Sequence, residues 1–282
     1  MVWRMQMKNK IQAAICTNIG NSRENQEDSV VLVCNQKTLL RNSAAKGDPD
    51  NRDEALFLPQ NSELLIAVSD GMGGHLGGET ASGYTVSCLE QGARILAETK
   101  QDAALSLQEI IGQISQNVVD HAKKTPECCG MGATVSGLYV KENRYFCFHA
   151  GDSRVYQYTG DVLKQLTTDH TEGQRLMNLG LLTEEEVQRL PHRKNIYKYI
   201  GMEGLLRADI FEVSEVKPGT LFLLCSDGLT DALSDGDIRE VLKREEPLEV
   251  KRERFLREAL GRRIGFGDNI SFILVEFGGE DI

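Results

Sequence analysis

Leu64-Leu65-Ile66-Ala67-Val68-Ser69-Asp70-Gly71 is the stretch from which the rest of the chain can be read. Its apolar run reads as a buried strand, and the strand ends in Ser-Asp-Gly. The same ending returns at Leu221-Phe222-Leu223-Leu224-Cys225-Ser226-Asp227-Gly228. Glu27-Asp28 stands before Val30-Val31-Leu32-Val33, and Asp268-Asn269 stands before Ile270-Ser271-Phe272-Ile273-Leu274-Val275. Four strand ends thus carry carboxylates. A single carboxylate at a strand end is a turn residue. Four gathered by a fold would repel one another unless cations stood between them. The pattern points to a metal site of hard oxygen ligands.

Outward from these strands the chain is ordinary for a globular protein. It has 282 residues, 40% hydrophobic and 26% charged, with a formal net charge of -10. That length suits one large domain or two small ones. The acidic balance argues against nucleic acid or an anionic membrane as the main partner. The seven Cys are odd in number and include no C-x-x-C. Several lie inside apolar runs, so they read as reduced core residues of a cytoplasmic protein. Met1 to Lys10 has no apolar core for a signal peptide, and no apolar stretch is long enough to span a membrane.

Strands are expected at 11–18 and 29–34, flanking a polar turn, and residues 36–62 read as an exposed polar insertion. Asp48, Asp50 and Asp53 resemble half of a calcium loop, but its Gly and terminal Glu are missing. Apolar spacing predicts helices over 79–99 and 103–124. Residues 132–166 read as one antiparallel meander. Residues 167–206 form a polar, partly helical excursion, with Thr183-Glu184-Glu185-Glu186 as a capping box. Strands return at 208–213 and 220–226, charged helices follow near 235–245 and 248–262, and a strand at 270–277 closes the chain. One domain over 1–282, of sheets with helices outside, is the economical reading.

Taken as one site, Glu27, Asp28, Asp70, Asp152, Asp227 and Asp268 offer only oxygen, which suits Mg or Mn rather than Zn or Cu. Gly71 lets a main-chain carbonyl approach an ion closely. Two ions roughly 3.5–4 Å apart would share an Asp and activate a water against a phosphate ester, without a covalent intermediate. Arg23 could fork onto phosphate oxygens beside them.

At these residues the chain resembles the metal-dependent protein phosphatase family, the type 2C Ser/Thr phosphatases, in its bacterial form. Arg23 through Asp28, Ser69 through His75, Gly132-Ala133-Thr134, His149 through Tyr156, Leu166 through Thr171, Ser226 through Leu229, and Gly267-Asp268-Asn269 match its motifs in order. The resemblance covers roughly residues 11–277. It implies an α+β fold: a four-layer α-β-β-α sandwich of two packed antiparallel sheets flanked by helices. It implies phosphoserine and phosphothreonine proteins as substrates, with a Ser/Thr kinase as natural counterpart. Asp70 would bridge two Mn or Mg ions, Glu27 and the Gly71 carbonyl would complete one, and Asp227 and Asp268 would hold the other. Asp28 would act through a water, Asp152 with Asp227 would frame a third, weaker ion, and Arg23 would bind substrate phosphate. Residues 167–206 would be the flap. The chain departs from the family at Met72, where some members carry a His, and at Tyr197-Lys198-Tyr199-Ile200-Gly201, which replaces the usual Arg-Ala-Leu-Gly ending. His75 or a water would then protonate the leaving group.

Other readings are weaker. Cys88 and Arg94 have the spacing of a phosphate-cradling loop, yet apolar positions continue a helix through them, and a helix spends its N–H groups internally. Gly71 to Gly78 is Gly-rich but lacks the Gly-Lys-Ser/Thr ending of a nucleotide loop. A catalytically silent phosphatase-like domain that acts as a partner-binding signalling module could lose ligands; here every expected acidic position is filled. Lys243 to Arg263 reads as a solvated helical face rather than a docking surface.

Overall fold

The computed structural model describes residues 10–42, 54–59, 62–73, 77–214, 216–262 and 267–278. Thirteen strands among them form two antiparallel sheets. The first runs β10(Val162–Gln165), β9(Arg154–Thr159), β12(Thr220–Cys225), β13(Ile270–Phe277), β1(Lys10–Asn18), β4(Glu54–Pro59). The second runs β11(Asp209–Glu212), β8(Arg144–Ala150), β7(Val135–Lys141), β5(Leu64–Met72), β2(Asp28–Cys34), β3(Lys37–Asn42), with the short β6(Gly132–Ala133) beside β5.

Strand parity explains the layers. Successive side chains point to opposite faces. Ile11 and Ile15 of β1, Leu64, Ile66 and Val68 of β5, and Ile273 and Val275 of β13 meet between the sheets. The alternate residues of β5, Leu65 and Ala67, face α1(Gly77–Glu98) and α2(Ala103–Lys124), where they meet Val86, Leu89 and Ile111. The alternate residues of β1 and β13, Ala14, Cys16, Phe272 and Leu274, face the opposite outer layer with Ile238 and Phe255. That layer holds α5(Asp227–Thr230), α6(Asp235–Leu242) and α7(Leu248–Arg262). Antiparallel strands usually alternate apolar and polar because one face meets water. Here both faces of the central strands are covered, so their sequences are continuous apolar runs. The architecture is the four-layer α-β-β-α sandwich.

Two expectations are corrected. Residues 36–62 are not only an exposed loop, because β3 and β4 lie within them. Asn35 and Gln36 take positive φ of 49° and 64°, the turn geometry that sends β2 straight back into β3. β4 pairs with β1 and buries Leu58. The candidate calcium residues Asp48, Asp50 and Asp53 lie outside the described residues, as does His75. Residues 132–166 are also not one meander. β7 and β8 belong to the second sheet and β9 and β10 to the first, and the chain crosses between them at Gly151-Asp152-Ser153. Gly151 makes the crossing with φ of 126°, and a Cβ there would stand 2.6 Å from the Thr134 side chain.

Between β10 and β11 lie α3(Glu172–Asn178) and α4(Glu184–Gln188), the latter opened by the reciprocal Thr183–Glu186 capping box. This excursion is stitched back onto β6, where Ala133 and Ile200 exchange two main-chain hydrogen bonds of 2.9 and 2.8 Å. Cys88 and Arg94 both lie within α1. Cys16, Cys34, Cys128, Cys147 and Cys225 are buried, and all seven cysteines are free thiols.

Candidate metal centre

The first strong constraint on the site is a register. β2 and β5 pair so that Asp28 lies directly opposite Asp70. Glu27 precedes Asp28, so three carboxylates are fixed by one strand pair. The Gly71 N–H donates to the Glu27 carbonyl at 3.0 Å, which locks the ends of both strands. Ser226, one residue before Asp227, donates its hydroxyl to Asp28 Oδ2 at 2.7 Å. The second Ser-Asp-Gly is thereby tied, from the opposite sheet, to the Asp28 that faces Asp70. Asn269 accepts the Glu27 N–H at 2.7 Å and donates to the carbonyls of Ile19 and Asn25, which brings Asp268 to the same place. Asp152 arrives from the sheet crossing. Thr134 lies 2.6 Å from the Ser153 hydroxyl and accepts the Asp70 N–H at 2.9 Å, linking that crossing to β5.

Glu27, Asp70, Gly71, Asp152, Asp227 and Asp268 line one cleft of about 390 Å³. Asp28 is fully enclosed behind them. The six acidic residues that the sequence reading took as one site therefore meet. Arg23 is there too, but it closes on Asp268: Nε is 2.8 Å from Oδ1 and Nη2 is 2.9 Å from Oδ2. Its Nη1 lies 3.6 Å from Glu27 Oε2.

The electrostatics are those of a site short of positive charge. Burial raises the Asp28 pKa to about 7, with Asp227 and Asp268 adding to the rise and the Ser226 hydroxyl opposing it. Burial, then the neighbouring Asp28, holds Asp70 well above the usual carboxylate range. Asp152 is pushed up to about 8 by burial and by Asp227. Asp227 and Glu27 are raised as well, both chiefly by burial. No three of the described acidic, imidazole or thiol side chains close on a single point as a finished metal cage. Two basic side chains, Arg23 and Lys194, reach in among them instead.

A family model described as Protein phosphatase 2C matches residues 42–260. The chain belongs to the protein phosphatase 2C family. It is 31% identical over 223 residues to the serine/threonine phosphatase stp of Listeria innocua, covering 78% of this chain and 87% of that one. It superposes on the crystal structure of the serine/threonine phosphatase Stp1 from Staphylococcus aureus with a TM-score of 0.78 and 28% identity, over 95% of each chain. The catalytic domain of the phosphatase PstP, crystallised with two manganese ions, gives a TM-score of 0.73 and 27% identity, over 95% of this chain and 98% of that one.

The residues present in this 2C-family chain fit hard divalent ions. Every donor is oxygen, and among the described residues the six carboxylates meet two basic groups in ion pairs, Arg23 and Lys194. At the start of α1 a Cβ added to Gly78 would stand 2.9 Å from both Glu27 Oε1 and the Gly71 carbonyl oxygen. Those two oxygens therefore converge over a glycine that leaves them room.

The sequence reading missed Lys194 and Asp231. Lys194 Nζ lies 3.3 Å from Asp227 Oδ2 and is bonded to Asp231 Oδ2. Asp231 stands four residues after Asp227, at the C-terminal cap of the same short helix, and that spacing was the available signal. Lys194 had none, since it lies in a polar stretch without a motif.

Proposed function

We infer that this chain is a metal-dependent Ser/Thr protein phosphatase, hydrolysing phosphoserine and phosphothreonine by attack of water and without a covalent intermediate. The observation that carries the reading is the convergence of Glu27, Asp28, Asp70, Asp152, Asp227 and Asp268 on one cleft in a 2C-family sandwich. Asp70 would bridge two Mn or Mg ions. Glu27 and the Gly71 carbonyl would complete one site, and Asp227 and Asp268 the other. Bound ions of this kind supply an ionisable water and positive charge for phosphoryl oxygens. Asp28, behind Asp70 and held by Ser226, would keep a water in place by accepting its hydrogen bond. The Arg23 fork, closed on the two oxygens of Asp268, suits two oxygens of a phosphate equally well, and it would bind that group of the substrate. The Met72 thioether has no proton to give a leaving alkoxide.

The described chain is read as one catalytic domain, with residues 167–206 as its flap. Phosphoproteins are its substrates, and the natural counterpart is a Ser/Thr kinase together with its targets. Among the described residues no helix is long and apolar enough to cross a membrane; the cytoplasm is the proposed compartment. A third, weaker ion between Asp152 and Asp227 would share its space with Lys194.

The test is hydrolysis of a phosphothreonine peptide with Mn, with chelator, and by Asp227→Asn. Activity is expected with Mn and none with chelator; full activity in chelator overturns the metal reading. A wild type that binds Mn yet never hydrolyses the peptide would favour the silent, partner-binding reading. Cys88→Ser is expected to retain activity, since that thiol sits within α1.

A further inference from the structure

We propose that Lys194 is a built-in cation at the Asp152–Asp227 edge of the centre, so that this chain binds two metal ions and excludes a third. The inference rests on the two-ion reading above.

Lys194 is held in place by its neighbours. The Arg193 carbonyl accepts the Gly173 N–H at 2.9 Å, and the Asn195 carbonyl accepts the Glu172 N–H at 2.9 Å. These bonds clamp both flanking residues to the start of α3 and aim the Lys194 side chain at the cleft. Its ammonium then meets Asp227 and Asp231, in a cleft that Asp152 also lines.

The other described basic groups nearby make different contacts, and Arg193, which lines a cleft with Asp152, Lys194 and Asp227, donates Nη1 to the Leu190 carbonyl at 3.4 Å. Arg154 forks onto Asp169, with Nε 2.9 Å from Oδ1 and Nη2 2.7 Å from Oδ2. Arg23 closes on Asp268 at the far end of the cleft. Lys194 is thus the basic side chain that, among the ion pairs of the described residues, reaches Asp227. A divalent ion there would need carboxylate oxygens at roughly 2.0–2.6 Å. It would have to approach Asp227 on its Oδ2 side, where the ammonium already stands 3.3 Å away, and like charges would oppose it there. Asp231 gives the ammonium a second anchor that the metal ligands do not need. Charge compensation at this edge therefore belongs to the chain and does not depend on metal supply.

A plain flap-to-domain ion pair would leave metal stoichiometry unchanged, so stoichiometry decides. Mn titrations, by calorimetry and by the spin resonance of free Mn, would be run on the full chain as wild type, Lys194→Met, Lys194→Arg and Lys194→Met with Asp152→Asn. The wild type is expected to take up two ions. Lys194→Met is expected to gain a third, weaker one, which Asp152→Asn removes. Lys194→Arg keeps the charge and is expected to return the count to two. Lys194 is half exposed, so these variants are expected to fold; Asp231→Asn, which unties the ammonium, is a second route to the third ion. Three ions on the wild type, two on Lys194→Met, or a third ion indifferent to Asp152→Asn would each overturn the proposal. A wild type that binds no Mn overturns the two-ion reading itself, and this inference with it.

Discussion

Asp70 and Asp227 share the Ser-Asp-Gly signature, but the fold gives them different surroundings. Asp70 faces Asp28 across a strand pair and, among the described residues, has no basic partner in its hydrogen bonds. Asp227 opens α5 and meets Lys194. Their substitutions are therefore expected to differ. Asp70→Asn removes the proposed bridge, and a Mn titration is expected to detect neither ion, with peptide hydrolysis lost. Asp227→Asn is expected to weaken one ion by about 100-fold or more, a loss at least as large as outer-shell changes cause, and to leave the other measurable. In metal-free protein the sign reverses. Burial and Asp28 disfavour the Asp70 charge, so Asp70→Asn is expected to raise the melting temperature there. Equal Mn isotherms for the two variants would argue against the bridge. The acidic residues were legible in the sequence because each ends or begins an apolar run. Lys194 and Asp231 were not, because a polar residue among polar residues carries no periodicity. Their pairing exists only once the excursion packs over α5.

At the scale of elements, most strand positions were legible from apolar runs, β3 and β4 within 36–62 excepted, and helix α2 was legible to the residue from its spacing. Sheet membership was not. β8 and β9 look like neighbours in one hairpin, and only the Gly151 crossing assigns them to different sheets. The start of α1 gives an element-scale prediction. Ala is the better helix former by about 1 kcal/mol, so propensity alone would have Gly78→Ala stabilise the protein. A Cβ there would stand 2.9 Å from Glu27 Oε1, from the Gly71 carbonyl carbon and from its oxygen. The expected result is a loss of roughly 1–3 kcal/mol, read by denaturant titration, together with weaker Mn binding. A second prediction concerns β8 and the excursion between β10 and β11. The His149 ring stacks on His170 at 4.5 Å, with the Ser136 hydroxyl 2.8 Å from Nδ1 and the Thr168 carbonyl 3.0 Å from Nε2. Burial and the His170 ring lower its pKa to about 3, against partial opposition from the Thr168 carbonyl and then Asp209, with Lys198 adding to the fall. An ordinary His titrates near ~6.5, so the unfolded chain takes up this proton first. Stability is therefore full above that value and declines as pH falls from about 6.5 toward 3, by up to ~1.4 kcal/mol per pH unit. His149→Gln is expected to flatten that difference between pH 7 and pH 5, with Mn held constant. A parallel decline in both proteins would place the acid sensitivity elsewhere.

Over the whole molecule, the four layers follow from one property of the sequence, the unbroken apolar character of the central strands. Those runs need cover on both faces, and the outer cover comes from α1 with α2 on one side and α6 with α7 on the other. The same packing forces the carboxylate-bearing strand ends together, so the stability of the sandwich and the charge of its cleft are in conflict. Burial raises Asp28, Asp70, Asp152 and Asp227 together, and Arg23 and Lys194 offset only part of that charge. Divalent ions that bind the folded chain should relieve the conflict and shift the folding equilibrium by mass action. At a hundredfold excess over Kd, each site contributes about 2.7 kcal/mol. Mn is therefore expected to raise the melting temperature by several degrees. Chelator should reverse the rise and abolish phosphothreonine hydrolysis over the same concentration range, and Asp70→Asn should show neither response. A melting temperature indifferent to Mn and chelator, with hydrolysis unaffected, would mean that the fold tolerates its buried carboxylates without metal. The convergence of acidic residues would then need an explanation other than metal-dependent catalysis.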